Sequence, residues 1–181
     1  MRRLAAPGPA AGGFTLIEMM VVLVIIGLMV AGAVLALGSL GRDRSLEDLS
    51  ERLEALISYA RERAELQTRE FGMRMTPEGY EFLVLDVGLQ KTEWRAADED
   101  EALRRRAFPP GIKPELYVDG RKVVLQASRE GTTPVPQIML LSSGDVSSFE
   151  LRLAREGVDG ATILRSTADN HVELIPAAKS K

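Results

Sequence analysis

The sequence predicts an α+β protein in which one long N-terminal helix packs against antiparallel β-sheets of a globular C-terminal domain. Three patterns lead to this prediction. Residues 19–40 contain 22 positions without a charge, apolar residues then recur every three or four positions over 46–64, and short apolar segments separated by Gly and Pro follow Gly72. The first half of the helix is therefore predicted to span a membrane and the second half to be amphipathic.

The uncharged run is long enough for a membrane helix. At about 1.5 Å per helical residue it covers about 33 Å, roughly the thickness of a bilayer's hydrocarbon core. We divide the chain into a leader at 1–13, a hydrophobic transmembrane and assembly helix at 14–41, and a globular domain at 42–181. Glu18 is the one charged residue of the segment 14–41. An ionised side chain inside a bilayer costs several kcal/mol, so this acid needs an explanation.

Three interpretations compete for this N-terminal region. A plain transmembrane anchor explains the length but not Glu18, unless the acid merely lies at the interface beside the helix N-terminus. A secretory signal peptide would be cut at small residues after its apolar core, whereas Gly12 and Gly13 precede a core that is too long for that class. The third interpretation is a signal that is cut before the apolar run, between Gly13 and Phe14, and leaves the helix in the product.

The third interpretation rests on a motif. Gly13-Phe14-Thr15-Leu16-Ile17-Glu18 resembles the G-F-T-L-x-E sequence of type IV pilins and type II secretion pseudopilins. The resemblance implies a pilin-like fold and cleavage between Gly13 and Phe14 by prepilin peptidase, with N-methylation of Phe14. It further implies that Glu18 pairs with the N-terminal amine of a neighbouring subunit during assembly.

Charge and composition agree with an exported, anchored domain. Loss of residues 1–13 removes Arg2 and Arg3, which changes the formal net charge from −3 to −5 and argues against nucleic acid as the main partner. The same two arginines predict a cytoplasmic N-terminus and an exported C-terminal domain. The resemblance implies that the protein is a single-pass protein of the bacterial inner membrane with this domain in the periplasm. The sequence contains no cysteine, which excludes disulfides and thiolate metal sites.

The domain 42–181 is predicted to begin with helix to about residue 70 and to continue as a β-rich part. The helix has one apolar stripe, formed by Leu46, Leu49, Leu53, Leu56, Ile57, Ala60 and Ala64. Its charged face is assigned no site.

Four hairpins are predicted beyond the helix, arranged as two sheets or a sandwich packed on it. Their strands are Phe71–Met75 with Tyr80–Leu85, Leu116–Val118 with Val123–Leu125, Gln137–Leu141 with Phe149–Leu153, and Thr162–Leu164 with Val172–Ile175. The segment Asp86–Gly111 is predicted to be irregular and is the best candidate for a mobile or partner-contacting loop.

A narrower resemblance covers nearly all of the chain beyond the leader. The block from Pro136 to Asp145, continued by Phe149–Leu153, is similar to the C-terminal signature of H-type minor pseudopilins of type II secretion, and Gly79–Leu83 fits the same family. This resemblance implies a structural subunit at the tip of a periplasmic pseudopilus that helps to export folded proteins across the outer membrane. The implied partners are other minor pseudopilins, the major pseudopilin, prepilin peptidase and the inner membrane.

Enzyme activity is not predicted. His171 is the single histidine, and Ser142-Ser143-Gly144 lacks the G-x-S-x-G elbow, so we interpret it as a surface turn. The acidic run Asp98–Glu101 lacks the spacing of an EF-hand and is interpreted as a solvated loop rather than a calcium site. We therefore expect no catalytic residue, metal, cofactor or small-molecule substrate.

Two other functions remain open from the sequence. A type IV pilus minor pilin, acting in pilus assembly or DNA uptake, would share the motif and the helix. DNA binding would require one basic face, for which the available residues are Arg104–Arg106, Arg121, Lys122, Lys179 and Lys181. A simple single-pass protein with a periplasmic binding domain is the other alternative.

Overall fold

The computed structural model describes residues 16–89, 91–128, 131–157 and 160–177, without the side chains of 33–43. Helix α1 runs from Leu16 to Gln67 over 52 residues. The chain divides between Arg42 and Asp43 into two compact units. Over the described residues, no helix combines the length and the apolarity that crossing a membrane requires. The leader 1–13 lies outside these ranges, so its boundary stays a prediction.

The amphipathic half of α1 buries most of the predicted stripe, whereas Leu56 is only partly buried. Leu53, Ile57, Ala60 and Ala64 are completely buried, and Leu46 and Leu49 are each 7% exposed. The helix ends at Gln67, slightly before the predicted position, because Thr68 adopts a positive φ of 51°. The amide of Arg69 then donates to the carbonyl of Ala64, which closes a Schellman-type end.

Within the described part of the chain, ten strands follow the helix and form two five-stranded sheets. They are β1 Phe71–Met75, β2 Gly79–Val87, β3 Thr92–Ala96, β4 Arg106–Ala107, β5 Ile112–Val118, β6 Arg121–Val123, β7 Ile138–Leu140, β8 Phe149–Arg155, β9 Ala161–Ser166 and β10 Val172–Ile175. The α+β class, with one helix packed on antiparallel sheets, is confirmed.

The first sheet has the order β3-β2-β1-β7, and β4 also pairs with β2. The predicted β1–β2 hairpin is confirmed, with Met75 opposite Tyr80. The prediction that Asp86–Gly111 is irregular was wrong in part, because β3 and β4 lie within it and both pair with β2. Strand β3 has only partly buried and exposed residues, so it lacks the apolar alternation by which the sequence would have shown it.

The second sheet has the order β10-β9-β8-β5-β6. The predicted hairpin at Asp119-Gly120 is confirmed, and both residues have positive φ values, 49° and 74°, as a two-residue I′ turn requires. Because this loop has only two residues, β6 begins at Arg121, before the predicted start at Val123. The strand ends at Val123, two residues before the predicted end at Leu125. The β9–β10 hairpin is also confirmed.

The third predicted hairpin, Gln137–Leu141 with Phe149–Leu153, was wrong. Strand β7 pairs with β1 in the first sheet, whereas β8 lies between β5 and β9 in the second. Gly72 makes the β7 pairing possible, because a Cβ there would lie 2.5 Å from the ring of Pro136 just before β7. The connection between β7 and β8, residues 141–148, has eight residues, and a loop of this length does not force its flanking strands to pair.

One hydrophobic core holds the two sheets and the helix together. Side chains with at most 1% exposure come from α1, the first sheet and the second sheet, and include Leu53, Ile57, Met73, Phe82, Ile138, Leu116, Leu151 and Leu164.

Candidate functional site

The N-terminal part of α1 is an apolar surface. Every described side chain of residues 16–32 is exposed, including Leu16 at 80%, Leu28 at 69% and Met29 at 71%. A helix that is apolar on all sides is stable only when lipid or other helices cover it. This segment is therefore the first candidate for an assembly surface.

Glu18 lies in the first turn of α1 as the structure describes it and is exposed among these apolar residues. Glu18 is the residue predicted to act in assembly, and that role stays a prediction. Gly13 and Phe14, the predicted cleavage pair, lie outside the described residues.

The acidic run 98–101 is fastened to the helix through Asp100. The Tyr59 hydroxyl donates to Asp100 Oδ2 at 2.8 Å, and Arg63 Nη2 lies 3.2 Å from the same oxygen. The hydrogen bond to Asp100 is the main cause that raises the pKa of Tyr59. Leu103, completely buried, anchors the loop on its other side. Within the described residues, no three His, Cys, Asp or Glu side chains are grouped as metal ligands.

The serines of the Ser142-Ser143-Gly144 turn have structural partners. Ser142 donates its hydroxyl to Glu70 Oε1 at 2.7 Å and its amide to Glu70 Oε2 at 3.0 Å. Ser143 donates its hydroxyl to Asp145. His171 lies near Asp169 at 3.8 Å, in the turn between β9 and β10. These contacts fasten turns and leave no serine–histidine pair among the described hydrogen bonds.

Many basic side chains of the domain are paired with acids. Lys122 lies 2.5 Å from Glu115 Oε1, and its hydrogen bond lowers the pKa of that carboxyl. Arg104 pairs with Glu101 at 3.5 Å. Further pairs within the described part of the chain are Lys113–Glu156, Arg152–Glu150 and Arg165–Glu173.

Two of the residues needed for a DNA-binding face, Arg104 and Lys122, thus already have acidic partners. Two others, Lys179 and Lys181, lie outside the described residues. A nucleic-acid surface gains affinity from cations that contact phosphates, and internal pairing reduces that gain.

Two polar contacts were missed at the sequence level. The first is the Glu70–Ser142 clamp, for which the sequence carries no signal because the residues are 72 positions apart. The second is Arg155, which is only 8% exposed. The burial of Arg155 could have been predicted from the sequence. Leu151, Leu153 and Arg155 alternate along β8, and this spacing places all three side chains on the inward face of the sheet.

Comparison with known proteins first defines the class. Residues 9–40 match the prokaryotic N-terminal methylation motif. The fold resembles the crystal structure of the minor pseudopilin EpsH from the type II secretion system of Vibrio cholerae, with a TM-score of 0.62 and 19% identity over 77% of this chain and 99% of that chain. The chain is thus of the prepilin-motif class with a pilin-like α+β domain.

Sequence relatives define the family. Type II secretion system protein H of Pseudomonas aeruginosa is 36% identical over 94% of this chain and 98% of its own length. The protein of the same name from Klebsiella pneumoniae is 32% identical over 78% of this chain and 85% of its own length. The chain belongs to the type II secretion system protein H family of minor pseudopilins, which are structural proteins.

Proposed function

We propose that this minor pseudopilin is a structural subunit at the tip of a type II secretion pseudopilus and has no catalytic activity, cofactor or small-molecule substrate. The observation that carries the proposal is the exposed apolar helix 16–32 joined to a domain of the protein H family. An exposed apolar helix is stable in water only when it is covered, and here we propose that lipid covers it before assembly and other subunits cover it afterwards. Other minor pseudopilins and the major pseudopilin are the proposed partners.

The proposed processing removes the leader 1–13. Prepilin peptidase cuts between Gly13 and Phe14 on the cytoplasmic side, and Phe14 receives the methyl group. The match to the methylation motif over residues 9–40 supports this step. The new N-terminus then lies four residues before Glu18 in the sequence.

The proposed topology is a single pass through the inner membrane, with the C-terminal domain in the periplasm. The uncharged run of the sequence from Met19 to Leu40 and the leader arginines Arg2 and Arg3 support it.

Glu18 is the proposed assembly residue. Its carboxylate pairs with the N-terminal amine of a neighbouring subunit, because a charge among apolar helices is stable only when a counter-charge meets it. The pairing would align neighbouring helices and reject subunits that lack a free amine. The supporting feature is the position of this one acid in an exposed apolar segment.

The Glu18→Leu variant tests this role. We expect normal membrane insertion, since the change removes a charge, and a loss of incorporation into sheared pseudopili of at least about tenfold, which is the effect of about 1.4 kcal/mol. Glu47→Leu is a matched control, because Glu47 is an exposed acid on the same helix beyond the apolar run. Equal incorporation of wild type and the Glu18→Leu variant would reduce Glu18 to an interfacial residue.

A further inference from the structure

The guanidinium of Arg155 is a buried cation in the compact unit that begins at Asp43. Arg155, the last residue of β8, is 8% exposed, and its Nε atom is buried without a hydrogen-bond partner. Burying a guanidinium costs several kcal/mol unless an anion compensates it. Among the described residues, no carboxylate forms an ion pair with Arg155, and the neighbouring Glu156 is paired with Lys113 at 3.0 Å.

The guanidinium instead connects three elements through neutral groups. Its Nη2 donates to the hydroxyl of Ser45 on helix α1, and its Nη1 donates to the carbonyl of Pro110 at 3.2 Å. Ile112, opposite Arg155 in the β5–β8 ladder, begins the strand that follows Pro110. The backbone around this loop is fixed as well, because the Glu156 amide donates to the Gly111 carbonyl at 2.9 Å.

Ser45 directly precedes the first buried residue among the described side chains of α1. That residue is Leu46, and Arg44 is exposed. The contact from Arg155 is therefore located beside the first turn of α1 that, within the described side chains, is buried against the sheets. Arg155 on β8 thus connects the helix to the loop before β5. This one side chain can determine how far towards its N-terminus α1 stays packed against the sheets.

We propose that Arg155 is a latch that fixes the start of the helix packing at Ser45. A planar guanidinium can donate to two separated acceptors at once, whereas a lysine ammonium on a flexible stem cannot reproduce this fork. Without the latch, the first turns of the buried stripe open locally although the rest of the core stays closed. Local opening of this kind is seen by hydrogen exchange of the native state.

The test compares Arg155→Lys and Arg155→Met with wild type in the full chain, held in detergent micelles and followed by hydrogen exchange with mass spectrometry. We expect exchange over residues 44–50 and 109–112 to become faster by roughly tenfold or more in both variants, as loss of hydrogen bonds from a charged donor implies. Peptides from β1 and β2 should exchange as in wild type.

Arg152→Met is the matched control, since Arg152 is a half-exposed arginine on the same strand that pairs with Glu150 on the surface. It should leave residues 44–50 unchanged. The latch is refuted if exchange there is unchanged in Arg155→Lys, or if exchange rises uniformly through all strands, which would indicate general destabilisation. Should Arg155→Met fail to fold, Arg155→Lys alone decides between these outcomes.

Discussion

Replacement of Leu53 by Ala tests whether the sheets are held to α1 by its apolar stripe. Leu53 is completely buried on α1, in the core that both sheets share. The change removes three carbon atoms, worth about 2.4 kcal/mol at roughly 0.8 kcal/mol each, and leaves a cavity that raises the loss to about 3–4 kcal/mol. Leu66→Ala is the matched control on the same helix, because Leu66 is 75% exposed and its loss should cost less than about 0.5 kcal/mol.

The assay is urea denaturation of residues 43–181, which form a compact unit and which we expect to be soluble and folded under reducing conditions. At an m-value of about 2 kcal/mol/M, the midpoint of Leu53→Ala should fall by roughly 1.5–2 M, with an unchanged slope. Equal midpoints for Leu53→Ala and Leu66→Ala would refute the assignment of the stripe as the surface that holds the sheets.

Two further predictions concern processing and pH. Gly13→Ala should slow removal of the leader, and a bulky residue at position 13 should abolish it, because a peptidase groove fitted to glycine excludes a Cβ. Intact-mass measurement of the wild-type protein should show a mature chain that begins at Phe14. Any other start would contradict the assigned cleavage site. The pKa of Glu115 is lowered by its hydrogen bond from Lys122, so the pair contributes stability above the ordinary carboxyl pKa and loses it as the pH falls through the lowered value. Between about pH 5 and pH 3 the thermal midpoint of wild type should therefore fall more than that of Glu115→Gln, and parallel curves would show that the pair contributes nothing.

The helix and the tight turns could be predicted because their signals are local. The stripe from Leu46 to Ala64 has helical spacing. Asp119-Gly120 is a dipeptide that favours a tight turn, because both residues tolerate a positive φ. Both depend on neighbours within four residues, so the sequence contains the whole cause.

The arrangement of strands in the middle of the chain could not be predicted, because its causes are distant. Strand β7 pairs with β1 rather than with β8. The two strands can approach each other because Gly72 leaves room for Pro136, which is 64 positions away in the sequence. Strand β3 is stabilised by backbone pairing with β2 rather than by burial.

The candidate site likewise has one residue that could be predicted from the sequence and contacts that could not. Glu18 could be chosen from sequence because its signal is one acid in an apolar run. The partners of Asp100, Tyr59 and Arg63, could not, since the fold brings the loop to the helix from about 40 positions away.

Deletion of the gene, with export of folded proteins and uptake of DNA measured in the same strain, tests the proposed role most directly. We expect that proteins normally exported across the outer membrane accumulate in the periplasm, that the wild-type gene restores export, and that DNA uptake is unchanged. Unchanged export together with a loss of DNA uptake would refute the role in secretion and assign the chain to a pilus.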